Sequence, residues 1–261
     1  MALAFPAPAD QVFRDAPLVV VLSQVKFPAV LSLLAEPGAA GFQEAIRDTY
    51  PAMAKVEGAG LVVGPTTMEA RREAPVWKFT SSDEQWVVSL SVDFVALEAL
   101  KYTHAGDFLG RLDRVLDAVD RTIHPAPSTR VGLRKVNQIT AEVDNPRAWS
   151  RYLKPALVGL LGDGALPGGV RGALSVLRLR DENGDDLIVQ HGLMDDDDAQ
   201  KYRIDLDYST ERPFEIRAND GLTALLRSYA ASETQFFMWS LGEDLYRRYG
   251  PIPRPMEQES Q

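Results

Sequence analysis

The order of the predicted elements is the feature that most constrains how this chain folds. From Leu18 onward the apolar patterns predict a strand, a helix, three strands and a second helix, and the same βαβββα order begins again at Arg130. The offset of about 110 residues is much longer than the period of a solenoid repeat. We therefore predict an α+β protein of two quasi-repeated βαβββα halves.

The individual helices and strands are predicted from the periodicity of apolar residues and from Gly, Pro and Asn residues that end helices and strands or form turns. In the first half the pattern predicts strands and helices at Leu18–Phe27, 39–50, Gly58–Val63, Val76–Thr80, Trp86–Phe94 and 105–123. In the second half it predicts them at Arg130–Val143, 146–161, Val170–Arg180, Asp186–Met194, Tyr202–Tyr208 and 219–247. Asn183-Gly184 between two strand patterns predicts a hairpin with a type I′ turn.

This layout predicts how the chain is divided and how its layers are arranged. We expect an extended N-terminal arm over 1–16, a first half over 17–127, a second half over 128–249 and a flexible tail over 250–261. The halves are expected to share one core. A strand, a crossover helix, an antiparallel meander and a closing helix are typical of TATA-binding-protein-like and helix-grip folds, so we expect a mostly antiparallel sheet with helices on one face. The other face is then a candidate binding surface.

Composition excludes several kinds of chemistry. The chain has no cysteine, which removes disulfides, thiolate zinc sites and a cysteine nucleophile and agrees with a reducing cytoplasm. No segment approaches 18 uncharged apolar residues, and the first residues lack the pattern of a signal peptide, so we expect a cytoplasmic protein without a membrane partner. The net charge of −9 opposes general binding of nucleic acid.

Polar clusters in the sequence do not form a recognisable catalytic motif. Three histidines, His104, His124 and His191, lack the spacing of an acid–base constellation, so structural or solvated roles are expected for them. The run Asp195–Asp198 lacks the spaced oxygens of a calcium loop and is interpreted as a solvated hairpin tip. The Gly-rich stretch 162–169 follows a predicted helix, whereas a phosphate loop precedes one. We predict no catalytic residues, no metal site and no cofactor.

Five side chains are the candidate binding residues. Arg130 and Arg134 fall on one face of a predicted strand, where two guanidinium groups could hold a carboxylate or phosphate, and Asn137 falls on the other face. Ion pairs with neighbouring acidic strands, such as the one that carries Asp205 and Asp207, are the structural alternative for the arginines. Trp77 and Trp86 flank the first hairpin, either as a recognition surface or as packing residues.

Several segments together resemble a sporadically distributed prokaryotic family of uncharacterised proteins about 250 residues long. The resemblance rests on Pro17-LVVVLSQVKFP, Trp77-KFTSSDEQW, the strand Arg130-VGLRKVNQI and the late Ile204-Asp-Leu-Asp, with Arg-x-Gly-Leu-Arg-x-x-Asn as its most specific part. It covers roughly 16 to 245. The chain departs from the family where Lys135 replaces a common Tyr and where Val19–Val21 lack an early acidic residue. The resemblance implies fold boundaries and a prokaryotic origin, and no activity.

Two functions remain open from the sequence. The first is a non-catalytic protein-binding or accessory component, for example of a prokaryotic conflict system, whose partner is another protein or a second copy of the chain. In that case loss of Arg130 and Arg134 is expected to weaken association without unfolding the chain. The alternative is a small-molecule-binding protein or enzyme with a pocket between sheet and helices.

Overall fold

The computed structural model describes residues 1–57, 59–63, 68–72, 74–141, 143, 145–162, 170, 172–194, 200–217 and 220–253. Within them it has thirteen strands: β1 Gln11–Phe13, β2 Leu18–Lys26, β3 Ala52–Val56, β4 Ala59–Val63, β5 Met68–Arg72, β6 Val76–Thr80, β7 Trp86–Leu90, β8 Phe94–Ala99, β9 Arg130–Thr140, β10 Ala173–Arg180, β11 Asp186–Met194, β12 Lys201–Thr210 and β13 Pro251–Pro253. The helices are α1 Glu36–Ile46, α2 Ala105–Ile123, α3 Trp149–Tyr152, α4 Pro155–Val158, α5 Asp220–Ser240 and α6 Glu243–Arg248, with short 3-10 turns at Leu31–Leu34, Pro146–Ala148 and Gly159–Gly162.

Nine of the strands form one sheet in the order β10-β11-β12-β9-β2-β8-β7-β6-β3. The pairs β10–β11, β11–β12, β3–β6, β6–β7 and β7–β8 are antiparallel. Two further antiparallel pairs, β1–β13 and β4–β5, stand as separate two-stranded sheets. The predicted α+β class with a large, mostly antiparallel sheet is therefore confirmed.

Two compact units make up the chain, and they do not follow chain order. The first unit comprises Met1–Val21, Leu133–Ser209 and Leu225–Gln261, and the second comprises Leu22–Gly132 and Thr210–Ala224. Strands β2 and β9 and helix α5 are each divided between the units.

The second unit contains the helix that the sequence predicts best. Helix α2 has the predicted bounds and buries one apolar stripe, which includes Phe108, Leu112 and Leu116. It begins at His104, whose Nδ1 accepts a hydrogen bond from the Asp107 amide, and it ends at His124 in the left-handed region (φ 49°). Both histidines are thus helix caps.

Three predicted elements are split in the structure. The strand predicted over Trp86–Phe94 is two strands, since the chain turns after Leu90 and the Ser91 amide donates to the Phe94 carbonyl. The helix predicted over 146–161 is broken at Leu153, which is extended, because Pro155 has no amide to donate to an uninterrupted helix. The helix predicted over 219–247 is α5 and α6.

The α5–α6 break has a tertiary cause. Leu241 forms a bridge with Leu153, and the Gly242 amide donates to the Tyr152 carbonyl instead of to its own helix. The apolar pattern runs through this point without a change, so periodicity alone could not locate the break.

The two termini of the described chain are paired with each other in the first unit. Strand β1 pairs with β13, and Phe13 makes edge-on contacts with Phe237 and Tyr246. Residues 251–253 are therefore a strand, where the sequence predicted the start of a flexible tail. Residues 254–261 lie outside the described residues.

Gly192 lets β10 and β11 approach closely, and this generates a stability prediction. A Cβ at Gly192 would lie 1.8 Å from the Ala173 carbonyl oxygen, whereas a Cβ at Gly110 in α2 would meet nothing within 4 Å. We expect Gly192→Ala to lower the free energy of unfolding by about 1–3 kcal/mol, because the strands must separate to admit the methyl group. Gly110→Ala is expected to raise it by about 0.5–1 kcal/mol through helix propensity.

Urea denaturation of both variants measures these two changes. A Gly192→Ala variant as stable as the unaltered protein would contradict the close pairing of β10 with β11.

Candidate functional site

The loop between β10 and β11 is held in shape by the carboxylate of Asp181. Its Oδ1 accepts hydrogen bonds from the Asn183 amide at 2.7 Å and from the Asp185 amide at 3.0 Å, which is an Asx-type turn. Only Gly184 in this loop has a positive φ, 83°. The predicted hairpin is confirmed, but the predicted type I′ turn is wrong. Asn183 is not in the left-handed region that this turn requires, because the hydrogen bonds to Asp181 determine the loop conformation.

Two tyrosines tie this loop to the rest of the first unit. Tyr208 of β12 donates its hydroxyl hydrogen to Asp181 Oδ2 at 3.0 Å, and Tyr229 of α5 donates to Asp185 Oδ2 at 2.8 Å. The two rings stack with centroids 4.1 Å apart and planes 8° apart. Burial raises the pKa of Tyr208, so its hydroxyl remains a donor at neutral pH. The buried carboxylates of Asp181 and Asp185 are therefore both hydrogen-bonded, and these bonds attach the hairpin loop to β12 and α5.

Strand β10 itself is exposed along most of its length. Leu174 is 67% exposed, Val176 61% and Leu177 44%, although strands usually bury such side chains. The strand ends the nine-stranded sheet, and no other strand among the described residues pairs with its outer edge. Exposed apolar side chains and an open backbone edge thus coincide in β10, where three such side chains are exposed, compared with two, Met53 and Val56, on β3 at the other end of the sheet.

The neighbouring strand extends the apolar area on one face. Leu174 lies opposite Gly192 and Val176 opposite Gln190, so Leu174, Val176 and Met194 point to the same face of the sheet. Met194 is exposed as well. We call the set Leu174, Val176, Leu177, Arg178 and Met194 the β10 surface.

The two arginines of β10 differ in their contacts. Arg180 donates from Nε and Nη2 to the two carboxylate oxygens of Asp186, each at 2.8 Å. Arg178 is exposed and makes no hydrogen bond or ion pair with the described residues. Hydrogen bonds from Arg180 lower the pKa of Asp186, and the charge of Arg178 adds to this, so the β10 surface carries a cation that is near a carboxylate but makes no hydrogen bond to it.

Arg134 is engaged inside the first unit. It donates from Nε to Asp205 Oδ1 at 2.8 Å and from Nη2 to Asp205 Oδ2 at 2.6 Å, and Arg203 also donates to Oδ2 at 2.9 Å. The hydrogen bonds to Asp205 raise the pKa of Arg134 further. The placement corresponds to the ion-pair alternative that the sequence left open, with Asp205 rather than a ligand as the anion. Arg130 is half-buried in the second unit, with its guanidinium beside Gly132.

The other predicted binding residues are buried. Asn137 lies inside the first unit on β9. Trp77 is in the core of the second unit, where its Nε1 donates to the Leu33 carbonyl at 3.0 Å. Trp86 is buried too, and the Arg111 guanidinium lies 4.4 Å from its ring centroid. In both tryptophans the position matches the packing role that the sequence left as an alternative.

A buried ionisable pair lies between β9 and α5 in the first unit. Lys135 donates from Nζ to the Ala230 carbonyl at 2.8 Å and to Thr234 Oγ1 at 3.1 Å, and its Nζ is 3.8 Å from Glu233 Oε2. Glu233 is 0% exposed, and neither carboxyl oxygen has a hydrogen-bond partner among the described residues. Burial raises the pKa of Glu233 well above its ordinary value, and the Lys135 ammonium opposes this less strongly.

The third histidine, His191, lies beside Tyr202 in the first unit. His191 Nδ1 is 2.8 Å from the Tyr202 hydroxyl oxygen, and that hydroxyl donates to the Leu157 carbonyl. No group of three or more potential metal ligands is present among the described residues. The run Asp195–Asp198 and residues 163–169 of the Gly-rich stretch lie outside them.

Comparisons of the chain with protein families, with curated proteins and with solved structures find no match. The family resemblance drawn from the Arg-x-Gly-Leu-Arg-x-x-Asn strand therefore stays a prediction. None of the described helices is both long and apolar enough to cross a membrane.

The β10 surface is the feature that sequence reasoning missed. The strand was predicted, but its exposure was not. No local signal indicates this exposure, since the β10 pattern ALSVLRLR has apolar residues on both faces, at 176 and 177, which is equally typical of a strand buried on both sides.

The Arg134–Asp205 contact changes the expected effect of substituting Arg134. The sequence predicted weaker association without unfolding, whereas the structure predicts a loss of stability. We expect Arg134→Ala to lower the free energy of unfolding by about 1–2 kcal/mol, because buried Asp205 loses two charge-assisted hydrogen bonds and keeps only Arg203. The estimate is at the low end because the Arg134 side chain is 42% exposed. Urea denaturation measures the loss, with exposed Arg47→Ala as the control. An unchanged midpoint for Arg134→Ala would refute a structural role for the pair.

Glu233 gives a pH-dependent prediction. Its pKa is raised in the folded state, so above the unfolded-state pKa of about 4.3 the unfolded chain loses a proton that the folded chain keeps, and stability falls as pH rises. Glu233→Gln removes this loss. We expect the variant to gain stability relative to the unaltered protein as pH increases from 4 to 8, measured by thermal unfolding across that range. A stability difference between the variant and the unaltered protein that stays constant with pH would contradict the assignment.

Proposed function

We propose that this protein is a non-catalytic binding protein that associates with another protein through the β10 surface. The observation that carries the proposal is the exposure of three large apolar side chains on a strand that ends the sheet. Exposed apolar area of this kind, next to polar residues, is typical of surfaces that bind other proteins.

The contacts around Asp181 and Asp185 in the first unit favour this function over the small-molecule alternative. Between the sheet and α5, the stacked rings of Tyr208 and Tyr229 occupy the layer and their hydroxyls are bound to Asp181 and Asp185. Ligand pockets are usually concave and apolar with a few unoccupied polar groups. The described tyrosines and carboxylates here already satisfy each other.

We further infer that the two halves derive from one βαβββα ancestor and that the protein acts in the cytoplasm of a prokaryotic cell. Support for the duplication comes from the order of the strands in the sheet. In each half the first strand, β2 or β9, is followed in the sheet by the last three strands of that half in reverse chain order, which are β8-β7-β6 and β12-β11-β10. The order is compatible with a TATA-binding-protein-like arrangement. Support for the cytoplasm comes from the absence of cysteine in the sequence.

The proposed function predicts a specific loss of association. We expect Val176→Asp to remove a protein partner that co-purifies with the unaltered chain, because the new carboxylate loses hydration in an apolar interface and also engages Arg178, which lies two residues along on the same face. Val56→Asp on β3 is the matched control, since Val56 is also an exposed valine on a strand at the end of the sheet.

Native mass spectrometry of both variants, purified from the cytosol of the source cell, makes the measurement. A partner that stays bound to Val176→Asp would refute the proposed surface. A retained mass of only a few hundred daltons, with no polypeptide partner, would favour the small-molecule alternative.

A further inference from the structure

We propose that β10 accepts an extended segment of a different protein as an additional strand, and that this segment places a carboxylate opposite or diagonal to Arg178. This inference rests on the proposed function and names the mode of recognition and the chemistry of the partner. It is drawn from the backbone edge, the side chains on its two faces and an exposed arginine that makes no hydrogen bond to a described residue.

The backbone of β10 is suited to strand addition. All eight residues from Ala173 to Arg180 pair in unbroken register with β11, from Ala173 opposite Leu193 to Arg180 opposite Asp186. The strand contains no proline and no bulge, which are devices that normally protect an open edge from pairing. Its outward amides and carbonyls can therefore form a regular ladder with an incoming strand.

The side chains of β10 favour an incoming strand with apolar residues on both faces. Leu174 and Val176 are exposed on the face that also carries Met194, and Leu177 is exposed on the opposite face. Cross-strand neighbours contribute to pairing mainly through such side-chain contacts. An entirely polar strand would leave these side chains as exposed as they are now.

Arg178 adds a charge requirement. It lies opposite Ile188 and diagonal to Asp186 in β11, and Asp186 is bonded through both carboxylate oxygens to Arg180, so Arg178 keeps its donors for a further carboxylate. A carboxylate on the added strand can form a charge-assisted hydrogen bond with its guanidinium. Arg180 adds less, because Asp186 already occupies it.

In two antiparallel self-pairings of β10, a second copy of this chain supplies no carboxylate opposite Arg178. In antiparallel self-pairing centred on Val176, Arg178 lies opposite Leu174, and in self-pairing centred on Ser175 it lies opposite Gly172. Neither residue supplies an anion, and two chains of net charge −9 repel each other. Charge complementarity therefore favours a different protein.

Synthetic peptides test the mode of binding directly. The probe is a fluorescein-labelled nine-residue peptide with valines on both strand faces, threonines at the remaining positions and one central glutamate, compared with the same peptide carrying lysine at that position. We expect the full-length protein to bind the glutamate peptide about tenfold more tightly, measured by fluorescence anisotropy. Arg178→Glu is expected to reverse the preference, while the charge-matched control Arg47→Glu on α1 leaves it unchanged.

N-methylation of the peptide separates strand addition from side-chain contact alone. Methyl groups on alternate amides block one edge of the peptide, and methyl groups on the remaining amides block the other. We expect one methylated form to lose binding and the other to keep it, because only one edge faces β10. Equal binding by both forms, equal binding of the glutamate and lysine peptides, or no binding up to millimolar concentration would overturn the inference.

The failure of this inference can be told apart from the failure of the proposed function. If Val176→Asp removes the natural partner but Arg178→Glu and the peptides have no effect, the β10 surface binds a protein by another mode. If sedimentation shows a concentration-dependent dimer that Val176→Asp abolishes, the occupant is a second copy and the inference is wrong.

Discussion

The presentation of β10 depends on the Asp181 carboxylate. This group accepts hydrogen bonds from two loop amides and from the Tyr208 hydroxyl, so one side chain shapes the hairpin and also attaches it to β12. Asp185 makes the matching attachment to α5 through Tyr229. Because these contacts fix β11 and the loop, β10 can stay ordered with a single neighbouring strand among the described residues and with its apolar side chains in water.

The buried charges of the first unit fall into two kinds with different consequences. Asp205 is paired with Arg134 and Arg203, which stabilises its charge. Glu233 is completely buried beside Lys135 without a hydrogen bond to a described residue, which disfavours its charge. The ion pairs of Asp205 thus stabilise the sheet at β12. Buried Glu233, between β9 and α5, instead lowers the free energy of unfolding increasingly as pH rises.

Much of the fold could be predicted from local patterns. Helix α2 and the β10–β11 hairpin follow from apolar periodicity and from turn residues, which are local signals. The α5–α6 break and the role of Asp181 could not be predicted, since both depend on residues that are distant in sequence, such as Tyr152 and Tyr208.

The candidate site was predicted less well than the fold. The arginine spacing on β9 indicated an anion site, but sequence spacing does not reveal that Asp205 on another strand occupies Arg134. The tryptophans were named because aromatic residues serve recognition as well as packing, and only burial distinguishes the two uses. The exposure of β10 depends on its position at the end of the sheet, which follows from topology and not from composition.

Hydrogen–deuterium exchange of the amides of β10 tests the account most directly. In the isolated protein we expect β10 to exchange faster than β11, because β11 is paired on both sides and β10 on one. In the complex with the protein partner, β10 is expected to become as protected as β11. Protection of β10 equal to that of β11 in the isolated protein, or no change on binding, would contradict the central claim that β10 is an open edge that a partner completes.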